Sequence, residues 1–296
     1  MSEYSAPLVP EDLPLRLVRA ENPSPMTGPG TNTFLLGQGE VMVIDPGPAL
    51  PGHLAAILAA LDPGERIAAI LVTHPHLDHS ALAPALAGAS GARIYGFGPA
   101  GSGRSPLMRH LAKAGLGGGE GVDHGFAPDL RLAGGEALDL AGERIEVVHT
   151  PGHMAEHLAF GWNGILFCGD HVMAWSTSLV SPPDGDMGAY LASLHALREA
   201  RWRRWLPAHG DPVGDPAARL TELIAHRAAR EARILEELAR APGTVETLTP
   251  RIYHDTPPAL WPAAGRNLLA HLADLITRGI VTGTGWPGPE AVFRRI

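Results

Sequence analysis

Short apolar runs alternate with helical patterns along the first two thirds of the chain. Runs of strand length, separated by turn signals, are "LRLVRA", "TNTFLLG", "EVMVIDPG", "RIAAILVTH", "ARIYGF", "RIEVVHT", "HLAFGW", "GILFCGD" and "RWLPAHG". Helical patterns stand between several of them, in "HLAAILAALDPG", "DHSALAPALAGAS" and "MGAYLASLHALREA". Asn163 and Gly164 predict a tight hairpin turn between two of the strands. The sequence therefore predicts an α/β fold in which mixed sheets are covered by helices on their outer faces.

The pattern changes after residue 214. Residues 217–240 form a strongly helical, charge-laced run, followed by further helical segments and a closing hairpin that ends in "PEAVFRRI". We therefore expect one large domain over residues 1–214 and a small, mostly helical, winged-helix-like domain over residues 215–296. Residues 98–125 are rich in glycine and predict an irregular surface loop or lid.

The composition is that of a globular protein with a substantial core. The chain has 296 residues, 45% of them apolar, and its single cysteine, Cys168, excludes an intrachain disulfide and fits a reducing compartment. The N-terminal segment lacks a signal-peptide pattern, and no apolar run approaches the roughly 18 residues of a membrane span. The net charge of −8 argues against a basic nucleic-acid scaffold. We expect a cytoplasmic protein with no membrane contact.

Side chains that can bind metal ions cluster where the apolar strands end. The densest case is "VTHPHLDHS", in which His74, His76, Asp78 and His79 follow the run "IAAILV". Similar signals at other strand ends are "VIDPG", "HTPGH", "CGDH" and "PAHG". The spacing of His74 and His76 places both rings on one side of an extended segment. Because polar groups at strand C-termini converge on one site, and because imidazole and carboxylate suit Zn²⁺, the pattern predicts a metal centre.

These motifs resemble those of a known family. "THPHLDH" resembles the H-x-H-x-D-H signature of the metallo-β-lactamase superfamily, and "HTPGH", "GD" and "HG" match that family in order. The tail is similar to the winged-helix extension of the β-lactamase-like protein 2 group, whose members include a mitochondrial endoribonuclease. One departure is "DHSALAPAL", where many relatives have a Gly-Gly pair. The resemblance implies a four-layer αββα sandwich followed by a small, mostly helical winged-helix-like domain.

The resemblance also implies two divalent metal ions and a reaction. The seven implied ligands are His74, His76 and His153 for the first ion, Asp78, His79 and His209 for the second, and Asp170 as a bridge between them. Zinc is the expected metal, with iron and manganese as alternatives. Two ions that share Asp170 would share a water and lower its pKa, and the bridging hydroxide would attack a carbonyl carbon or a phosphorus. Asp78 and Asp170 are therefore expected to be catalytic as ligands and electrostatic anchors.

Several neighbouring residues have two readings. His157 sits where this branch often has a histidine; we count it among the catalytic candidates, and a structural hydrogen bond is the alternative. His149 and His171 are expected to support the ligands or the packing, and Asp45 to hold the loops beneath the site. Cys168 is expected to be a packed strand residue.

Three functions remain open on the sequence alone. The first is hydrolysis of a small ester, thioester or lactone, and the second is cleavage of single-stranded RNA, for which "REARWRRW" (Arg198–Trp205) is the best basic and aromatic candidate. The third is a binding module whose tail recruits DNA or a protein, but "RNLLAHLADLITRG" is mostly apolar. Dimerisation or covering of the active-site mouth is the expected role of the tail. We thus expect a small-molecule substrate, with RNA and a homodimer as alternatives.

Overall fold

Two β-sheets stacked face to face form the centre of the computed structural model, which describes residues 12–119, 121–288 and 290–296. The first sheet consists, in spatial order, of β1 (Leu15–Arg19), β2 (Asn32–Leu36), β3 (Glu40–Ile44), β4 (Arg66–Leu71), β5 (Arg93–Gly96) and β6 (Leu130–Arg131). The second consists of β11 (Arg204–Pro207), β10 (Ile165–Gly169), β9 (Leu158–Trp162), β8 (Glu143–His149) and β7 (Ala137–Leu140). Residues 1–11, part of the segment without a signal-peptide pattern, lie outside the described residues.

Helices cover the outer face of each sheet and complete four layers. The short helix α2 (Leu77–Ser80) follows β4 in sequence. The covering helices are α1 (Pro51–Ala59) and α3 (Ala83–Ser90) on the first sheet and α5 (Met187–Leu197) on the second. Between them in sequence lies α4 (Pro106–Lys113). The predicted αββα sandwich is confirmed. The predicted hairpin turn is also present, because Trp162 pairs with Ile165 across Asn163 and Gly164.

The alternation of side chains along each strand explains the layers. In β3, Met42 and Ile44 point into the core between the sheets, whereas Val41 and Val43 pack against Ile57 and other residues under the helices. The core between the sheets includes Phe34, Met42, Ile44 and Leu71 from the first sheet and Val147, Phe160, Phe167 and Leu206 from the second. Apolar burial on both faces of each sheet therefore fixes the positions of the strand ends.

The structure corrects two expectations about local elements. The single helix expected in "DHSALAPALAGAS" is two helices, α2 and α3, because Pro84 lacks the N–H that would continue the first one. The glycine-rich segment 98–125 is not wholly irregular, because it contains α4. The Ser105 side chain caps α4 by accepting a hydrogen bond from the Met108 N–H, and Met108 and Leu111 are buried.

The C-terminal region has its own core but is tied to the sandwich. It contains α6 (Pro216–Arg240), α7 (Val245–Ile252), a short 3₁₀ turn (Pro258–Leu260), α8 (Trp261–Thr277) and the hairpin of β12 (Val281–Thr284) and β13 (Val292–Arg295). Leu220 and Leu223, near the start of α6, pack with α5, whereas Ile234 and Leu238 pack with α7 and α8. Because α6 belongs to both cores, the domain boundary near residue 214 stays a prediction.

The ends of β3, β4, β10 and β11 lie at one edge of the sandwich, because β3 runs parallel to β4 and β10 runs parallel to β11. The two sheets also meet there directly, since the Leu158 N–H donates to the Thr73 carbonyl at 2.8 Å. Among the described residues, no helix is both long and apolar enough to cross a membrane. The cytoplasmic location stays a prediction.

Candidate metal centre

All seven sequence-predicted ligands come together at this edge of the sandwich. His74 and His76 follow β4, and Asp78 and His79 lie on α2; the other three are at the ends of, or beyond, β8, β10 and β11: His153, Asp170 and His209. Two clusters result, one of His74, His76, His153 and Asp170 and one of Asp78, His79 and His209. Within each cluster the candidate ligand atoms lie within 4.8 Å of one another.

In the first cluster three ring nitrogens converge. Nδ1 of His76 lies 2.9 Å from Nε2 of His74 and 3.1 Å from Nε2 of His153. Oδ2 of Asp170 is 3.7 Å from the same nitrogen of His153. These separations are close to the roughly 3.3 Å between two ligands of one tetrahedral zinc ion.

Asp170 links the first cluster to the second. Its Oδ1 is 3.3 Å from Nε2 of His209, and its Oδ2 is 3.6 Å from Nε2 of His79. Asp78 approaches the same two rings, with Oδ2 at 3.2 Å from His209 and 3.4 Å from His79. Asp170 therefore contacts candidate ligands of both clusters.

The outer nitrogens of the rings are bonded elsewhere, which turns the inner nitrogens toward the centre. Nδ1 of His153 lies 2.6 Å from the Leu179 carbonyl, Nδ1 of His209 lies 3.3 Å from the Gly30 carbonyl, and Nδ1 of His79 lies 3.0 Å from Oδ2 of Asp45. Each partner is a hydrogen-bond acceptor, so these rings carry their proton on the outer nitrogen, as is usual in histidine ligands.

Two of the inner atoms then lack a hydrogen-bond partner in the described part of the chain. Nε2 of His79 and Oδ1 of Asp170 are buried without a hydrogen-bond partner among the described residues. Buried lone pairs that face one another without a proton or a cation are unfavourable. The donor set of imidazoles and carboxylates therefore fits divalent cations.

The electrostatics of the two clusters differ. In the first, burial and the neighbouring His153 lower the pKa of His76 to about 3, which leaves its ring neutral at neutral pH. In the second, burial opposes the charge on His209, but the carboxylates of Asp170 and Asp78 outweigh it and raise the pKa of that ring to about 9. The two carboxylates thus require positive charge at the second cluster, which a proton or a metal cation can provide.

His157 lies beneath the ligands and does not reach the cleft. The ring is fully buried; its Nδ1 is 2.7 Å from the Thr150 hydroxyl, and its Nε2 accepts the Asp170 N–H at 3.2 Å. Gly169 permits this approach, since a Cβ there would lie 2.5 Å from Nε2 of His157. Of the two roles considered from the sequence, the geometry favours the structural hydrogen bond over contact with substrate, because neither nitrogen is free.

The other secondary candidates also have structural surroundings. Asp45 accepts hydrogen bonds from the N–H and the hydroxyl of Thr73, both at 2.8 Å, as well as contacting His79. His149 stacks on Phe97 with ring centroids 4.7 Å apart. The ring nitrogens of His171 have no hydrogen-bond partner among the described residues, and burial with the nearby His153 lowers its pKa to about 3. Cys168 is buried, and burial raises the pKa of its thiol.

The two clusters open into a cleft of about 620 Å³. The opposite side of this cleft belongs to the C-terminal region and includes His226, Arg227, Arg230, Tyr253 and Asn267. A larger cavity of about 780 Å³ is lined by the C-terminal region and Leu116 and contains none of the seven clustered residues. The smaller cleft is the candidate site because the possible ligands converge there.

Sequence reasoning missed the residues on this opposite side. One signal was available: Arg227 stands midway between the apolar residues Leu220 and Ile234 at seven-residue spacing, which places it on the same face of α6. A cation between apolar residues at helical spacing indicates a buried polar contact. The many charged residues of α6 make the helix resemble an exposed one, so this contact was not predicted.

The predicted basic and aromatic candidate "REARWRRW" lies outside the lining of this cleft. Trp205 is buried in the core beneath α5, and Trp202 packs over Gly161 of β9. Arg201 pairs with Glu146 at 2.6 Å. These contacts favour a packing role for the segment.

Comparison with known proteins identifies the family. The model described as Metallo-beta-lactamase superfamily matches residues 26–204, which is more than half of the chain. The chain belongs to the metallo-β-lactamase superfamily. A second model, described as Beta-lactamase associated winged helix domain, matches residues 244–286. The resemblance inferred from the motifs, including the winged-helix tail, is confirmed.

Individual relatives agree with this assignment. The Beta-lactamase-like protein 2 homolog of Drosophila melanogaster is 30% identical over 278 residues, covering 87% of this chain and 86% of that protein. The Atrochrysone carboxyl ACP thioesterase of Aspergillus terreus is 29% identical over 236 residues, covering 78% of this chain and 65% of that protein. The crystal structure of a metallo-β-lactamase family protein from Thermus thermophilus has a TM-score of 0.76 and 26% identity, covering 96% of this chain and 99% of that one. The protein is therefore a hydrolase of this superfamily.

Proposed function

We propose that this protein hydrolyses a small acyl substrate, an ester, thioester or lactone, at a centre of two divalent metal ions, with zinc as the first candidate. The observation that carries the proposal is the contact of Asp170 with candidate ligands of both clusters, which open into the 620 Å³ cleft. A cleft of this size accommodates a small molecule or the acyl end of a larger one. The thioesterase name of the Aspergillus terreus relative supports the same substrate class.

The roles of the residues follow from their positions. His74, His76 and His153 would hold one ion and Asp78, His79 and His209 the other, with Asp170 shared between them. Bound there, divalent ions would supply a water of lowered pKa and would polarise the carbonyl of the substrate. Among the chain's own residues, Asp45 orients His79, and His157 fixes the backbone N–H of Asp170.

RNA cleavage is the second candidate because of one observation in the cleft. The Arg230 guanidinium lies 4.1 Å from the centroid of the Tyr253 ring, and both residues line the cleft. Arginine planes and aromatic rings are surfaces on which unpaired bases stack. The same pair also suits an acyl substrate with an anionic group, and the small-molecule proposal remains the first.

A panel assay on metal-replete protein tests the proposal. Acyl thioesters, esters, lactones, phosphodiesters and single-stranded RNA are compared for wild type, His76→Ala and His124→Ala. His124 is an exposed histidine outside both clusters and serves as the matched control. We expect metal-dependent acyl hydrolysis that is lost only in the His76 variant. RNA cleavage with the same dependence and no acyl hydrolysis would support the second candidate instead.

Metal analysis of the same preparations identifies the ion. We expect two equivalents of zinc, and two equivalents of iron or manganese would correct the choice of metal while leaving the proposed ligands in place. The cytoplasmic location and the homodimer stay predictions.

A further inference from the structure

The short segment Ser178–Val180 contacts two members of the first cluster, His153 and Asp170. The Leu179 carbonyl accepts the hydrogen bond from Nδ1 of His153 at 2.6 Å. The Ser178 hydroxyl donates to the backbone carbonyl of Asp170 at 2.5 Å. The placement of this segment therefore determines the orientation of the His153 ring and the position of Asp170.

Two side chains of the C-terminal region hold this segment. Arg227, on α6, donates from one terminal nitrogen to the Ser178 carbonyl at 2.5 Å. The side-chain oxygen of Asn267, on α8, accepts the Val180 N–H at 3.0 Å and faces the other terminal nitrogen of Arg227 at 3.4 Å. The backbone on both sides of Leu179 is thus fixed by residues that lie far away in sequence.

The surroundings of Arg227 are energetically unfavourable for a buried arginine. It is 2% exposed, and its guanidinium contacts two carbonyl-type oxygens and lies 5.1 Å from the Tyr190 ring centroid. Within the described residues it forms no ion pair with a carboxylate, and its Nε has no hydrogen-bond partner. A buried cation without a counter-charge destabilises a fold. Because burial of Arg227 does not stabilise the fold, its contacts with Ser178 and Asn267 point to a role in function.

We propose that Arg227 and Asn267 are positioning residues of the metal centre, which act through Ser178–Val180 on His153 and Asp170. This goes beyond the proposed reaction and rests on it only in requiring that the clusters bind metal. It gives the C-terminal region a second task in addition to lining the cleft. The carboxylate and imidazole would then keep their geometry only while the C-terminal region is docked.

A different role for Arg227 would be to bind an anionic group of the substrate, because it also lines the cleft. The two roles differ in what they affect. Replacing a positioning residue should change both metal affinity and kcat. Loss of the contacts that hold metal ligands typically lowers metal affinity or activity by about 10- to 100-fold. A substrate-binding residue raises KM and leaves metal affinity unchanged.

The test compares four variants in a zinc titration against a chromophoric chelator: Arg227→Met, Arg227→Lys, Asn267→Ala and Arg230→Met. Arg230 is the matched control, since it lies on the same helix, lines the same cleft, donates to the Ile252 carbonyl at 2.8 Å and lies over Tyr253. Its hydrogen bond and its aromatic contact remain within the C-terminal region. Circular dichroism establishes that each variant is folded, and the partly exposed Asn267 provides the test should Arg227→Met not fold.

We expect Arg227→Met and Asn267→Ala to bind zinc about 10- to 100-fold more weakly than wild type, and Arg230→Met to bind it as tightly as wild type. Arg227→Lys, which keeps the charge and a donor, should recover part of the loss. Hydrogen exchange of the metal-free protein should show faster exchange at residues 178–184 in Arg227→Met and Asn267→Ala only.

The opposite results would overturn the proposal. Unchanged zinc affinity in both Arg227→Met and Asn267→Ala would refute this proposal and leave the proposed function intact. A raised KM in Arg227→Met with unchanged zinc affinity would assign Arg227 to substrate binding. Equal weakening in Arg230→Met also refutes it, because the effect would then be a general loss of the C-terminal region. A wild-type protein that binds no divalent metal would overturn the proposed function as well.

Discussion

Replacing Asp45 by asparagine should weaken the second metal position without unfolding the protein. The Asp45 side chain accepts hydrogen bonds from the N–H and hydroxyl of Thr73 and from Nδ1 of His79. An asparagine of the same shape keeps one oxygen for the Thr73 N–H but turns its NH₂ group toward His79. Because two donors cannot face each other, the His79 proton would move to Nε2, the nitrogen that faces Asp78 and Asp170.

The size of the effect follows from the hydrogen bond that is lost. A hydrogen bond to a charged group contributes about 1.5–3 kcal/mol. Since about 1.4 kcal/mol corresponds to a factor of ten in an equilibrium constant, affinity at the second position should fall about 10- to 100-fold. The first position should change little, because none of His74, His76 and His153 contacts Asp45 within the described hydrogen bonds.

Zinc titration against a chelator that resolves two equivalents measures this effect. Thr33→Val is the matched control, because the Thr33 hydroxyl donates to the backbone carbonyl of Asp45 at 2.7 Å and leaves the carboxylate untouched. We expect the control to bind two equivalents with wild-type affinities and Asp45→Asn to bind only the first tightly. An asparagine variant whose second equivalent binds as tightly as that of wild type would refute the reasoning.

Three further predictions concern the bridge, the α4 contact and acid stability. Asp170→Ala removes the carboxylate shared by both clusters and should lose at least one metal equivalent and several orders of magnitude in turnover; retention of two ions and a near-normal rate would refute the bridge. Leu111→Ala, at a fully buried position facing α8, should lower the free energy of unfolding by about 2–5 kcal/mol in urea, and an unchanged midpoint would contradict that packing. Burial and the charges of Arg227 and Arg230 lower the pKa of His271 to about 3. The unfolded chain therefore takes up a proton first, and stability falls by up to about 1.4 kcal/mol per unit as the pH drops from about 6.5 toward 3; His271→Leu should flatten this part of the profile, and equal slopes would contradict the assignment.

The sheets were predictable because their strands are short, apolar and separated by turn residues. In β3 the whole run "VMVI" is buried, with alternate residues serving the two faces of the sheet. α4 was not predicted, because eight helical residues between glycine-rich flanks give too few turns for a periodic signal. Its local signals, Ser105 at the cap and Pro106 at the first position, were nevertheless present in the sequence.

The predicted ligands could be recognised for a related reason. Each follows a strand or lies on the short helix beyond one, so the order of the motifs and the sheet topology together bring them to one edge. Arg227 reaches Ser178 across 49 positions of sequence, from a helix whose charges resemble those of an exposed surface. The spacing of Arg227 within α6 indicates a buried contact, but no local pattern identifies Ser178 as its partner. Contacts of this kind depend on the relative placement of two cores.

The two cores also support different sides of the cleft. The two clusters rest on strand ends fixed by the core between the sheets, whereas the opposite side of the cleft rests on the core of α7, α8 and the terminal hairpin. Because Tyr253 packs in this second core and lines the cleft, we expect substitutions there to change the shape of the cleft without moving a ligand. Arg227 and Asn267 are different, because they contact the segment that holds His153. The C-terminal region thus both lines the cleft and contacts the segment that holds His153.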